Sequence, residues 1–179
     1  MISDRVLSVI NSAAPTGSDV LRVLDFASRY WLNGERTLAN DAELVIRLLA
    51  RSKEFETILP GSSAVLDALS REAGLYPYLG LALTTRDEIA REAHHVPGMS
   101  GYVFHAEQMR VFSRLREGRN VVLSAPTSFG KTLLVDALIA EKRPSLALIV
   151  VPTIALLEER RRTLTNRFPD YAIVTQTFQ

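Results

Sequence analysis

Three consecutive residues in the second half of the chain, Gly130, Lys131 and Thr132, have the types and order needed to hold phosphate. They open a helix-forming stretch, GKTLLVDALI, and follow the run NVVLSA through Pro126, Thr127, Ser128 and Phe129. A glycine at such a junction lets the backbone approach a ligand with no Cβ in the way. The N–H groups at a helix start lack intrahelical acceptors and the helix dipole adds partial positive charge, so the junction favours an anion. Lysine supplies a point charge for the outer phosphates of a nucleotide such as ATP, and the threonine hydroxyl can ligate Mg²⁺. The pattern G-x-x-x-x-G-K-[ST] is met except at its first position, where Ala125 replaces glycine. Gly-Lys-Thr alone would be weak evidence; the strand-like run before it and the helix after it give the context the chemistry requires.

The segment APTSFGKT, Ala125 to Thr132, resembles motif I of superfamily-two helicases, the DEAD/DEAH-box and Ski-type group, in which the first glycine is often alanine. Phe104-His105-Ala106-Glu107-Gln108 lies a short helix upstream and is similar to the region in which that family reads adenine. The resemblance implies that Gln108 pairs with the adenine edge and that Phe104 or Tyr102 packs near the base. Downstream, Pro152-Thr153-Ile154-Ala155-Leu156 resembles motif Ia, which implies that Pro152 and Thr153 touch the backbone of bound DNA or RNA. Many relatives carry arginine where this chain has Ile154, which removes one charge contact. The family also needs a D-E-x-x motif on a later strand and a second RecA-like domain. The chain's Asp-Glu pair, Asp87-Glu88, lies before the phosphate loop. The chain therefore reads as a truncated front end, expected to be marginally stable and inactive in hydrolysis alone.

These residues need elements to place them. Short amphipathic helices fill residues 1–97: apolar positions recur at helical spacing at Val6, Leu7 and Ile10 and at Val20, Leu21, Val23 and Leu24, with Ser18 and Asp19 as candidate caps. Further helices are predicted over Asp41–Lys53, Ser62–Ala73 with Gly74 as its stop, and Thr85–His94. From residue 98 the grammar changes. Helices over His105–Glu117, Gly130–Lys142 and Thr153–Phe168 alternate with apolar runs at Asn120–Ala125, Ser145–Val151 and Tyr171–Thr175. Strands alternating with helices predict an α/β fold: an N-terminal helical accessory domain (1–97), then an incomplete RecA-like parallel sheet with flanking helices (98–179).

Composition limits the rivals. Hydrophobic residues make up 47% of the 179, enough for a packed core, and cysteine is absent, which excludes disulfides, a thiol nucleophile and a cysteine zinc site. With neither a signal-peptide pattern nor a membrane-length apolar run, a cytoplasmic placement is expected. Residues 1–100 hold 10 basic and 13 acidic side chains, net −3; residues 101–179 hold 11 and 7, net +4. The positive excess accompanies the phosphate loop, though it is far below that of a dedicated DNA-binding domain. Glu158 to Arg162 reads as a solvated helix face in which Glu158 pairs with Arg162. His94-His95 reads as a helix end, since adjacent histidines point to different faces, and Tyr30-Trp31 as core or a helix end. Two other classes stay open: a different P-loop NTPase, and a protein-interaction module in which residues 1–97 dock a companion protein.

Overall fold

The computed structural model describes residues 8–32, 38–80, 84–126 and 129–177, with the backbone alone at 30–32 and 38–41. The chain divides into two compact units, Met1–Leu123 and Ser124–Gln179.

The first unit is helical. Helices α1 (Gly17–Leu32), α2 (Leu38–Leu49), α3 (Ser52–Ile58) and α4 (Ser62–Glu72) precede a 3₁₀ turn at Tyr76–Tyr78; α5 (Thr85–Ala93) and α6 (Ala106–Arg116) follow. Of the stripe predicted on α1, Val20, Val23 and Leu24 are buried and Leu21 is exposed; with Ala27 the buried three pack with Leu44, Val45 and Leu48 of α2, Phe55 of α3, Leu66 and Leu69 of α4, and Leu75. Each Leu, Val or Phe buried in this way contributes roughly 1.5–3 kcal/mol. Val6 and Leu7 lie outside the described residues, as do the side chains of Tyr30 and Trp31. Arg51 closes the near end by donating to the carbonyls of Val9 and Ile10 while paired with Glu54.

Side-chain caps set the helix starts. Thr16, rather than Ser18, caps α1, with Asp19 returning the bond to the Thr16 N–H at 3.0 Å. Glu56 caps α4 from outside: its carboxylate accepts from the N–H groups of Gly61 and Ser63, and these hold its pKa down to about 2. Asp87 forms a capping box with Thr84 and reaches Arg71 of α4 at 2.6 Å. The Arg71 guanidinium, aided by the Thr84 N–H, likewise holds Asp87 at about 2. Gly74, with φ +65°, ends the α4 segment as expected. Its missing side chain also has a tertiary use: a Cβ there would sit 2.5 Å from that of Ala106, whose N–H donates to the Gly74 carbonyl. Residues 94–106 fold back on themselves through an isolated antiparallel bridge, His95 to Val103, and by this route α6 is packed into the first unit.

The second unit holds α7 (Lys131–Lys142) and α8 (Ile154–Arg167). Ile139, Leu164 and Phe168 form its small core, flanked by Ala140, Ile149, Tyr171 and Ile173. The Tyr171 hydroxyl donates to the Pro144 carbonyl at 2.9 Å.

The expected α/β fold is overturned. Among the described residues there is no strand, so no RecA-like parallel sheet forms; the runs at 120–125, 145–151 and 171–175 carry no ladder. Alternate side chains of these runs stand in solvent, with Val122, Leu146, Leu148, Val150 and Val174 all more than four-fifths exposed, while Ile149, Tyr171 and Ile173 lie against the small core. The physical reason is that β-branched runs favour an extended backbone, while a parallel ladder draws every hydrogen bond from a non-local neighbour. Periodicity in one segment does not supply that neighbour.

Candidate phosphate-binding loop

The helix that carries the candidate site starts where the sequence places it. Gly130 is its N-cap, in the left-handed conformation (φ 81°, ψ 34°), and no side chain caps it. A residue with a Cβ would be strained there. The preceding loop curls so that the Lys131 Nζ donates to the carbonyls of Ala125 and Pro126, both at 2.7 Å. The Phe129 N–H donates to the Pro126 carbonyl, which tightens the same turn. The Thr132 side chain is exposed on the first turn of α7. Thr127 and Ser128 lie outside the described residues. The structure thus gathers an ammonium, an uncapped helix start and an exposed hydroxyl at one end of α7. This donor set suits phosphate oxygens and a hard divalent cation such as Mg²⁺.

The other expected site residues have different surroundings. Gln108 is buried at the third position of α6, where its Oε1 accepts from the His105 N–H at 3.0 Å in a capping box. That amide oxygen already has a structural task. Phe104 is fully buried against Phe112, with ring centroids 5.1 Å apart, whereas Tyr102 is half exposed. All of these lie in the first unit; Ala125 to Thr132 lie in the second. Pro152 and Thr153 are exposed ahead of α8. Thr153 is its N-cap, accepting from the Leu156 N–H at 3.2 Å, and Ile154 is exposed beside it.

The expected solvated face from Glu158 to Arg162 holds for the exposed Arg162 but needs correction at Arg160 and in its pairing. Glu158 pairs with Arg161, and Arg160 turns inward onto Asp136 of α7. Asp136 is 1% exposed and takes Arg160 at 2.5 Å, with Arg167 on its other oxygen. The sequence held one sign of this: Asp136 is the lone acidic residue within the apolar run LLVDALIA, and a buried carboxylate requires a partner. His94 ends α5, its ring against Tyr76 and its Nδ1 2.8 Å from the Ala90 carbonyl. Among the described residues no cluster of histidine and acidic side chains could hold a metal ion, and no helix is long and apolar enough to cross a membrane.

Comparison with known proteins bears on both units. Residues 1–90 match the family model described as the anti-bacteriophage protein B N-terminal domain, and residues 105–178 match that of the DEAD/DEAH box helicases. Anti-bacteriophage protein B of Escherichia coli (strain K12) is 39% identical over 141 residues, which cover 76% of this chain and 19% of that relative. The chain therefore spans about a fifth of the length of the curated relative it matches. No solved structure matches it.

Proposed function

Because the chain belongs to the family of the anti-bacteriophage protein B N-terminal domain, we propose that it provides the nucleotide-phosphate cradle of a nucleic-acid-dependent, helicase-type ATPase acting in defence against bacteriophage. The observation that carries this reading is the Lys131 ammonium, held at an uncapped helix start by the carbonyls of Ala125 and Pro126. The helicase match over residues 105–178 and the name of the Escherichia coli relative support it.

In this reading Ala125 to Thr132 wrap the phosphates of ATP. Lys131 leaves the two carbonyls for phosphate oxygens, the backbone of Phe129 and Gly130 approaches them, and Thr132 ligates Mg²⁺. ATP would supply the phosphoryl group; these residues bind and orient it. Adenine recognition by Gln108, with Tyr102 as the exposed ring nearby in sequence, rests on the resemblance of Phe104 to Gln108 to the family's adenine-reading region. The start of α8 at Pro152 and Thr153 takes a backbone phosphate of DNA or RNA. Residues 1–97 dock a companion protein in the cytoplasm.

The test is Lys131→Ala, read as the affinity for a fluorescent ATP analogue with Mg²⁺. A charge-assisted hydrogen bond contributes about 1.5–3 kcal/mol, so losing a pair of them weakens binding at least about a hundredfold. Unchanged affinity would overturn the reading.

A further inference from the structure

We infer that Asp136 is a positioning residue that, through Arg160 and Arg167, couples the phosphate loop to the start of α8, so that occupancy of one is felt at the other. The inference rests on the proposed roles of these two helix starts.

Asp136 follows Thr132 by four residues, about one helical turn, and so lies on the same side of α7 as that hydroxyl. Arg160 follows the cap Thr153 by seven residues, about two turns, and Arg167 follows Arg160 by another seven. One stripe of α8 therefore runs from its proposed strand contact through both arginines. Asp136 is 1% exposed and the Arg160 side chain 10%. The Arg160 fork spans both carboxylate oxygens, at 2.5 and 3.4 Å, and Arg167 shares Oδ2.

Adhesion alone does not require this arrangement. Apolar residues of similar volume hold two helices at least as well as a buried ion pair, and Ile139, Leu164 and Phe168 already provide apolar contact. What a planar fork on a buried carboxylate adds is direction, because it fixes how α8 is rotated about α7. Two guanidinium groups on one carboxylate also give two ways of holding it: a small rotation of α7 transfers the grip from one arginine to the other. A movement begun at Lys131 and Thr132 is thereby passed to Thr153 as a discrete change, not absorbed by soft packing.

The experiment measures coupling in the 179-residue chain. The affinity for a fluorescent ATP analogue with Mg²⁺ is titrated with and without a mixed-sequence single-stranded oligonucleotide, as DNA and as RNA, and the oligonucleotide affinity with and without the analogue. In the parent chain each ligand should change the other's affinity by the same factor, about fivefold or more. In Asp136→Asn and in Arg167→Gln that factor should fall to about one, with the analogue's affinity in the absence of oligonucleotide within about threefold of the parent's. A purely structural role would not separate these two quantities. Arg167→Gln leaves the Asp136–Arg160 pair in place and keeps the fold, so it decides the matter if Asp136→Asn loses its helical circular dichroism. Coupling that persists in Arg167→Gln overturns the inference, as does a parent chain that binds both ligands without mutual effect. A parent chain that does not bind the analogue overturns the proposed function, and this inference with it.

Discussion

The two units are held together by different physics. In residues 1–123, α1 to α4 share one apolar core, and capping carboxylates set the starts of α1, α4 and α5. In residues 124–179 the core is small, α7 has a bare glycine cap, and the joint between helices is a buried ion network. Apolar burial is non-directional and scales with area, so it suits a unit whose task is to stay folded. A helix start without a cap leaves its N–H groups available, and an ion network specifies orientation, so both suit a unit whose task is to bind and respond. Under the proposed function, the contrast falls between a unit that stays folded and a unit that binds.

The sharpest way to break that contrast is to open the larger core. Phe55 is fully buried on α3, packed with residues of α1, α2 and α4. Phe55→Ala should cost about 3–5 kcal/mol by lost transfer energy and the cavity left behind. Urea denaturation should show the fall in midpoint, and hydrogen exchange should place the lost protection on α1 to α4. An equal loss on α7 and α8 would mean that the units do not differ in what holds them.

Acid should separate the units next. Glu56 and Asp87 have folded pKa values of about 2, below their ordinary 4.5 and 3.8. Lowered carboxylate pKa values contribute stability that is fully present above the ordinary values and is lost as pH falls toward the folded ones. The first unit should therefore hold its stability down to about pH 4.5 and lose it progressively toward pH 2. Glu56→Gln should flatten part of that loss, since the amide oxygen still accepts a bond but no longer titrates. Thermal melts between pH 6 and 2 measure both; a midpoint that does not move across that range would contradict the assignment of the caps.

Much of this division was legible in the residues, and what was legible is local. Helix limits follow from side chains and breakers within a turn of the end: Gly74 and Gly130 stand where the sequence predicts a stop and a start, each with positive φ. The start of α7 at Lys131, directly after Gly130, was legible for the same reason. Local reading also erred by a turn: the single helix expected over Asp41–Lys53 is α2 followed by a separate α3, and the cap of α1 falls on Thr16. What depends on distant partners was not legible. The apolar runs near 122, 148 and 174 specify extended backbone without naming a neighbour, so the expected sheet does not follow from them. Arg160 looked solvated because its partner is 24 residues away on another helix. Gln108 is intermediate: its spacing from His105 fits a capping box, and that local task was passed over in favour of the one the resemblance implies.

The smallest expected effect tests whether one residue of the second unit does more than cap. The Thr153 hydroxyl accepts from the Leu156 N–H, so Thr153→Ala should cost about 1 kcal/mol of stability. Thr84 provides the same service for α5 in the first unit, and Thr84→Ala should cost at least as much, because it also removes a 2.9 Å bond to Asp87. The two variants should part company in binding. If the start of α8 holds a nucleic-acid phosphate, Thr153→Ala weakens oligonucleotide affinity and Thr84→Ala leaves it unchanged. Thr153→Ser, which keeps the hydroxyl, should recover both the cap and the affinity. Denaturation midpoints and oligonucleotide titrations on the same three proteins give the answer. Equal affinities for the Thr153→Ala and Thr84→Ala variants would reduce Thr153 to a cap like any other, and the contrast between the units would then rest on Lys131 and Asp136 alone.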